Sequence, residues 1–446
     1  MRNLLFGTDG VRGTPEVYPL DAHTLARLGA SIVRTLPPAD APRRLLVGRD
    51  TRESGEWIEH QLARGVCSEG ATLTSVGVTP TPAVAYLTKD RRFDAGVVIS
   101  ASHNPFPDNG IKLFTSNGQK ARGEVESSVE VSVADRSWQV SDGRAVHIDR
   151  AEFGGSYMTH ASRALPEPGP LGQLKIAIDC ANGATAAVAP RLLRELEFDV
   201  LALHCAPDGR NINRQCGSTH PGDLAQAVVD GGCRLGVAYD GDGDRAVFVD
   251  HRGRVIDGDA VLFMCAKQLQ ATSRLRGNAV VATVMSNVGL EIALRELGIE
   301  LVRCPVGDRY VMEEIVRRGL LLGGEQSGHV IFADHLPTGD GIITTLSVLR
   351  IMAETKRDLA DLASDLTAYP QVLVNVPVRQ KEDLRSVPEV AAALATVEKR
   401  LAGQGRLLVR YSGTEPLLRV MIEGQDQPTI DRWAEEIAEK VREHLG

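Results

Sequence analysis

Three carboxylates at alternate positions, Asp240, Asp242 and Asp244 in YDGDGDRAVF (239–248), form the strongest chemical signal in the chain. They follow an apolar run, LGVAY, and the glycines between them allow a tight backbone on which all three can converge. Like charges packed so closely repel, and a hard divalent cation is the usual compensation. A calcium EF-hand also opens D-x-D-x-D, but its sixth position here is Arg245 rather than Gly and its twelfth is His251 rather than Glu. Magnesium fits better, because three carboxylates leave coordination positions for water or a phosphate oxygen. Arg245, directly after the triplet, adds a fixed positive charge suited to neutralising a phosphate from a second side.

A serine poses the second question. ASHNP (101–105) follows the apolar run GVVIS without a break, so Ser102 sits at the end of a buried-reading strand. A serine hydrolase needs a base and a nucleophile elbow, yet the chain has no G-x-S-x-G, and His103, as the next residue, is poorly placed to take the Ser102 proton. A P-loop G-x-x-x-x-G-K-[ST] is also missing. Four further loops are rich in phosphate-type donors: FGTDGVRG (6–13), VGDRY (306–310), GGEQSGH (323–329) and RYSGTEP (410–416). In the last, Arg410, Ser412, Thr414 and Arg419, with the backbone N–H groups of the SGT turn, suit a concave nest for a phosphate dianion.

Something must hold these loops. At 446 residues the chain is long enough for three or four domains of roughly 100–200 residues, and 43% hydrophobic with 24% charged residues is a globular balance. Short β-rich runs alternate with amphipathic helical stretches, the pattern of α/β layering. RLLVG (44–48), LKIAID (174–179), LGVAY (235–239), AVFVD (246–250) and AVVATVM (279–285) read as strands, and Ser54 as the cap of a helix presenting Ile58, Leu62 and Val66. ALPEPGPLG (164–172), HRGRVIDGD (251–259) and the segment around Ala368, Tyr369 and Pro370 read as boundaries. Beyond the last, GRLLVRY and LLRVMIEG flank the SGTEP turn as strands, followed by a helix with Pro428 early and Ile430, Trp433, Ile437 and Val441 along one stripe, an α+β unit. No internal repeat is visible as a sequence period.

The totals also exclude classes. A net charge of −8 without a Lys/Arg cluster argues against nucleic acid and anionic membranes as partners. No run approaches the ~18 apolar residues of a membrane span, the N-terminal apolar run is too short for a signal-peptide core, and seven cysteines without a C-x-x-C pair suit reduced thiols. A cytoplasmic location is expected.

FGTDGVRG, ASHNPFPDNGIK, DGDGDR, GEQSGH and RYSGTEP, in this order, resemble the α-D-phosphohexomutases from Asn3 to the chain end, and the GEQSGH form is similar to that of the bacterial phosphoglucosamine mutases. The resemblance implies three related α/β domains with mixed sheets and a C-terminal α+β domain around a central cleft, set at 1–160, 161–255, 256–368 and 369–446. It implies that Ser102 is carried as phosphoserine, that Asp240, Asp242 and Asp244 hold Mg2+ which also touches the Ser102 phosphate, and that Arg12, Arg245 and His103 support the transferring group. Lys112 is then the first candidate for general acid or base, its pKa expected to be lowered by nearby cations, and His329 the second. Arg309, Glu325 and Ser327 are assigned to the sugar phosphate, and Arg410, Ser412, Gly413, Thr414 and Arg419 to its distal phosphate. The implied reaction converts glucosamine 6-phosphate to glucosamine 1-phosphate through a hexosamine or glucose 1,6-bisphosphate, with phosphoglucomutase/phosphomannomutase activity as the alternative and a homodimer as a candidate assembly. A non-catalytic sugar-phosphate sensor and a phosphatase are the competing classes; retention of Ser102, Lys112 and all three aspartates speaks against the first.

Overall fold

The computed structural model describes residues 5–7, 9–141, 143–167, 169–171, 173–412 and 416–446, and the side chain of residue 170 is not described. The strand runs read from the sequence form strands at Arg44–Arg49, Lys175–Asp179, Leu235–Tyr239, Ala246–Asp250 and Ala279–Thr283. Their near-continuous burial is what β-branched and aliphatic runs achieve when a sheet is covered on both faces. The helix Gly55–Ser68 buries Ile58, Leu62 and Val66 as its spacing predicts, but Ser54 makes no capping bond. Its hydroxyl instead accepts from Asn109 Nδ2 at 2.9 Å.

The chain falls into two compact units, residues 1–285 with 301–365, and residues 286–300 with 366–446. The first contains a repeat that the sequence period does not reveal. Its three sheets share one four-strand arrangement, with the strands, taken in chain order, lying 4-3-1-2 across the sheet. In the first sheet these are Arg44–Arg49, Thr72–Val78, Ala95–Ile99 and Asn109–Thr115; in the second, Lys175–Asp179, Asp199–Leu203, Leu235–Tyr239 and Ala246–Asp250; in the third, Ala279–Thr283, Glu300–Cys304, Leu322–Gly324 and Val330–Phe332. The third strand of each set has a parallel neighbour on one side and an antiparallel one on the other. Its C-terminal end is where the chain turns back into that antiparallel partner, and Ser102, Asp240 and Glu325 sit on these three equivalent turns. Loops outside the carboxyl ends of strands are where open α/β sheets bind ligands.

The second unit is an antiparallel sheet ordered Gln371–Pro377, Leu417–Glu423, Arg406–Tyr411, with helices Pro388–Leu401 and Gln427–Leu445. Val390, Val397, Ile430, Ile437 and Val441 bury their side chains in one core with Val420 and Ile422, and Trp433 packs half-buried at its edge. Asp426 caps the last helix by accepting from Thr429 N at 3.0 Å, with Pro428 in the first turn.

Candidate active site

Ser102 is 2% exposed and adopts φ +51°, a left-handed conformation that a non-glycine residue holds only when its surroundings impose it. Those surroundings are polar and buried. Ser102 N donates to Ser100 Oγ (2.9 Å), whose hydroxyl donates to Asp50 Oδ2 (2.6 Å). The fully buried Arg52 guanidinium pairs with Asp50 (2.9 Å) and donates to the carbonyls of Ser102 (3.1 Å), Asn104 (2.8 Å), Pro105 and Asp108 (3.0 Å). Asn213 Nδ2 binds the Ser102 and Asn104 carbonyls from the other side (2.8 and 3.0 Å). The serine is thus clamped by Arg52 and Asn213, neither of which the sequence reading named.

The clamp aims the Ser102 hydroxyl at the acidic turn, where it donates to Asp240 Oδ2 at 2.5 Å. His103 Nδ1 lies 3.3 Å from the same Oγ, so adjacency in sequence does not keep it out of reach, although the hydroxyl proton points to the carboxylate. The approach needs glycine: a Cβ on Gly241 would meet the Ser102 carbonyl at 2.5 Å, and Gly243 has φ +75°.

Asp240, Asp242 and Asp244 are all buried, and one oxygen from each lies within 4.8 Å of the others. Asp242 Oδ2 accepts from Thr81 Oγ1 (2.6 Å) and Lys112 Nζ (2.7 Å), and Asp244 Oδ2 from Lys112 (2.9 Å). Asp242 Oδ1 and Asp244 Oδ1 are buried without a hydrogen bond among the described residues, His329 Nδ1 lying 3.5 Å from the latter. Burial and the charges of Asp244 and Asp242 push Asp240 well above the usual carboxylate range, while Lys112 and His329 overcome burial and hold Asp244 well below it. The cluster therefore carries more negative charge than Lys112 balances, and its bare oxygens suit a hard, oxygen-seeking dication.

Lys112 departs from expectation. Burial disfavours its charge, but Asp242, Asp244 and, at 3.7 Å, Asp9 outweigh it and hold the ammonium well above the ordinary lysine value. The neighbours that decide are anions from two loops, not cations.

A cavity of about 520 Å³ opens beside this cluster, lined among others by Arg12, His103, Arg245, Glu325 and His329. Arg12 donates to the Ser100 carbonyl (3.1 Å) and pairs with Asp9, and Arg245 Nε is buried without a hydrogen bond among the described residues, 3.8 Å from Asp244 Oδ1. Partial burial and the cations Arg245 and Arg12 hold the His103 imidazole below its usual value. His329 is pulled two ways. Asp244, Asp308 and Glu325 outweigh burial and push it up to about 9, yet Nε2 accepts the Gly339 N–H at 3.0 Å and needs its lone pair free. In the form that keeps this backbone bond, the ring proton sits on Nδ1, toward Asp244.

Glu325 Oε1 accepts from Gly307 N at 3.1 Å and faces the cavity. Ser327 is exposed and Arg309 packs over the Tyr310 ring at 4.8 Å; neither lines the cavity. Gln326 turns away to Asp257 (3.1 Å). A buried lysine missed by the sequence reading, Lys120, pairs with Asp9 and Asp308 (2.9 Å) and ties the 6–13 loop to the 306–310 loop. In the other unit, Arg410 and Arg419 face each other directly across antiparallel strands, and Lys381 Nζ donates to the Ser412 carbonyl at 2.5 Å. Gly413 and Thr414 lie outside the described residues.

A clamped serine hydroxyl on a carboxylate triad, with arginines around the adjoining cavity, defines a phosphoryl-transfer site. Comparison with known proteins agrees in all four parts of the chain. The phosphoglucomutase/phosphomannomutase models match it as alpha/beta/alpha domain I over residues 3–139, domain II over 156–253, domain III over 257–369 and the C-terminal domain over 373–440. The chain belongs to this phosphohexomutase family. The phosphoglucosamine mutase of Syntrophotalea carbinolica is 47% identical over 453 residues, covering 100% of this chain and 99% of that one, and that of Geotalea uraniireducens is 45% identical over 448 residues, covering 99% and 98%. Among solved structures, a Burkholderia thailandensis phosphoglucomutase/phosphomannomutase family protein shares the fold with a TM-score of 0.81 at 23% identity, covering 99% of this chain and 98% of that one. An Aspergillus fumigatus N-acetylphosphoglucosamine mutase in complex with GlcNAc-6P and magnesium does so with 0.68 at 17%, covering 99% and 96%.

Proposed function

We propose that the chain interconverts glucosamine 6-phosphate and glucosamine 1-phosphate, with Ser102, carried as phosphoserine, as the phosphoryl shuttle. The observation that carries the reaction type is the Ser102 hydroxyl 2.5 Å from Asp240 Oδ2; the choice of sugar rests on relatives 45–47% identical over nearly the whole chain. The bond from phosphorus to Ser102 Oγ breaks as one to the sugar O1 forms, and the O1 proton leaves to a base. The resulting 1,6-bisphosphate turns end for end, Oγ attacks the phosphorus on O6, the P–O6 bond breaks as O6 takes up the proton that O1 lost, and glucosamine 1-phosphate departs.

Magnesium held by Asp240, Asp242 and Asp244 would draw charge off the transferring group. Arg12 and Arg245 neutralise its outer oxygens, and His103 adds a hydrogen bond beside the Ser102 oxygen. Lys112 and His329 are the candidates for the proton transfer. The ammonium form in which Asp242, Asp244 and Asp9 hold Lys112 makes it a proton donor, which accepts the O1 proton only after giving up its own; the kcat of Lys112→Met against that of His329→Gln separates them. Glu325, with Ser327 and Arg309, is assigned to the sugar. A hexosamine or glucose 1,6-bisphosphate would prime an unphosphorylated chain. No helix among the described residues is long and apolar enough to cross a membrane, and a cytoplasmic enzyme, as a monomer or homodimer, completes the reading.

Turnover of glucosamine 6-phosphate, measured beside glucose 6-phosphate and mannose 6-phosphate, is expected to favour the amino sugar in kcat/KM. Preference for either neutral hexose replaces this reading with phosphoglucomutase/phosphomannomutase activity.

Arg410 and Arg419 are assigned to the phosphate that is not reacting. Losing one charge-assisted contact costs about 1.5–3 kcal/mol, so Arg419→Ala is expected to raise KM on the order of 10–100-fold with a smaller change in kcat. An unchanged KM removes Arg419 from that contact.

A further inference from the structure

A second group of metal-ligating side chains lies in the second sheet, apart from the aspartate triad. Asp179, His204 and Cys216 each present one donor atom, and the three lie within 4.8 Å of one another. They come from separate segments: Asp179 ends the strand Lys175–Asp179, His204 follows the strand Asp199–Leu203, and Cys216 lies in the loop before the helix Gly222–Asp230. We infer that Asp179, His204 and Cys216 form a binding site for a borderline-soft dication of the zinc type, built on thiolate, imidazole and carboxylate.

The donor atoms are oriented before any ion arrives. Asp179 is fully buried, its Oδ1 accepting from Ala181 N and its Oδ2 from Gly217 N, both at 2.8 Å. Each oxygen keeps a further lone pair for a ligand. His204 Nδ1 is buried 3.0 Å from Asp179 Oδ2, yet among the described residues it makes no properly directed hydrogen bond. The other ring nitrogen faces Asp223 Oδ2 at 3.7 Å, the place of the outer carboxylate that commonly orients a metal-bound histidine. Cys216 is wholly buried. Its thiol would lose its proton to solvent as the sulfur–metal bond forms, so binding releases one proton.

Donor chemistry separates this site from the triad. An all-oxygen cluster selects magnesium, whereas one sulfur, one nitrogen and one oxygen select zinc, cobalt or cadmium. Placement gives it a consequence. The loop that carries Cys216 also carries Asn213, which holds the Ser102 and Asn104 carbonyls and whose backbone N–H donates to the Ala181 carbonyl at 2.9 Å. An ion joining Cys216 to Asp179 and His204 fastens the root of that loop, and through Asn213 it steadies the nucleophile turn.

The full-length protein, kept in excess Mg2+ so that the triad is supplied, is titrated with Co2+ and followed by absorption. One equivalent is expected to produce a thiolate-to-cobalt charge-transfer band together with intense visible bands of tetrahedral cobalt. Cys216→Ser should abolish the charge-transfer band, while Cys205→Ser, altering the neighbouring half-exposed thiol, should keep it. His204→Asn, chosen because asparagine tolerates the φ of +48° found there, should weaken cobalt binding by at least about 10-fold. Absence of a thiolate band in the unaltered protein overturns the proposal, as does a band that survives Cys216→Ser or an affinity unchanged by His204→Asn.

Discussion

Ser102→Ala is expected to lower mutase kcat by on the order of 10⁴-fold or more and to leave a protein that takes up no phosphoryl group from a labelled 1,6-bisphosphate. The size follows from what the hydroxyl does. In the proposed reaction it is the atom on which phosphorus resides between the two half-reactions, so its loss removes the route, and water cannot store a phosphoryl group for return to the sugar. Folding should survive, because the turn is held by contacts that do not use Oγ: Arg52 and Asn213 bind backbone carbonyls, and Ser100 receives the backbone N–H. Two measurements on one sample check this, mass analysis of the peptide containing residues 101–105 and the coupled mutase rate. An alanine variant that turns over near the normal rate contradicts the shuttle. Steady release of free phosphate by the unaltered protein at the rate of sugar conversion favours the phosphatase reading instead.

The parts of this site that were legible in the sequence are those a single segment carries. Asp240, Asp242 and Asp244 lie within five consecutive positions, so their mutual repulsion and the need for a cation could be argued without a fold. Ser102 was visible because polar residues follow an apolar strand without a break. What positions the serine was not legible. Arg52 and Asn213 reach the turn across 50 and 111 residues of chain, and the Asp9–Lys120 pair closes over 111. The environment of Lys112 was misjudged for the same reason: which charges face an ammonium depends on which loops meet, and Asp9, Asp242 and Asp244 meet there. The threefold repeat escaped because it lies in strand order and not in residue type. Strand pairing in these sheets is satisfied by many aliphatic combinations, and the segments joining the strands differ in length, so no sequence period marks it.

Asp242→Asn should lower kcat by on the order of 10²–10³-fold while leaving the metal-free protein at least as stable as the unaltered one. Asp242 shares its buried site with two other carboxylates, and its Oδ1 has no hydrogen bond among the described residues. Removing this charge relieves a repulsion that the fold otherwise sustains, and Lys112 retains Asp244 at 2.9 Å as its partner. The amide oxygen can still accept from Thr81, which keeps the turn in place. Removing the charge should also weaken the proposed cation site, and that separates the two effects. For the unaltered protein, a dication at 100 times its Kd adds about 2.7 kcal/mol to the free energy of unfolding, and most of that gain should be missing in the variant. Melting in chelator and in Mg2+, run beside the activity assay, reads both. Equal Mg2+ stabilisation of the two proteins removes Asp242 from the cation site. A variant that melts well below the unaltered protein in chelator shows that the lost bond to Lys112 outweighs the relieved repulsion, and the charge excess inferred for the cluster is then wrong.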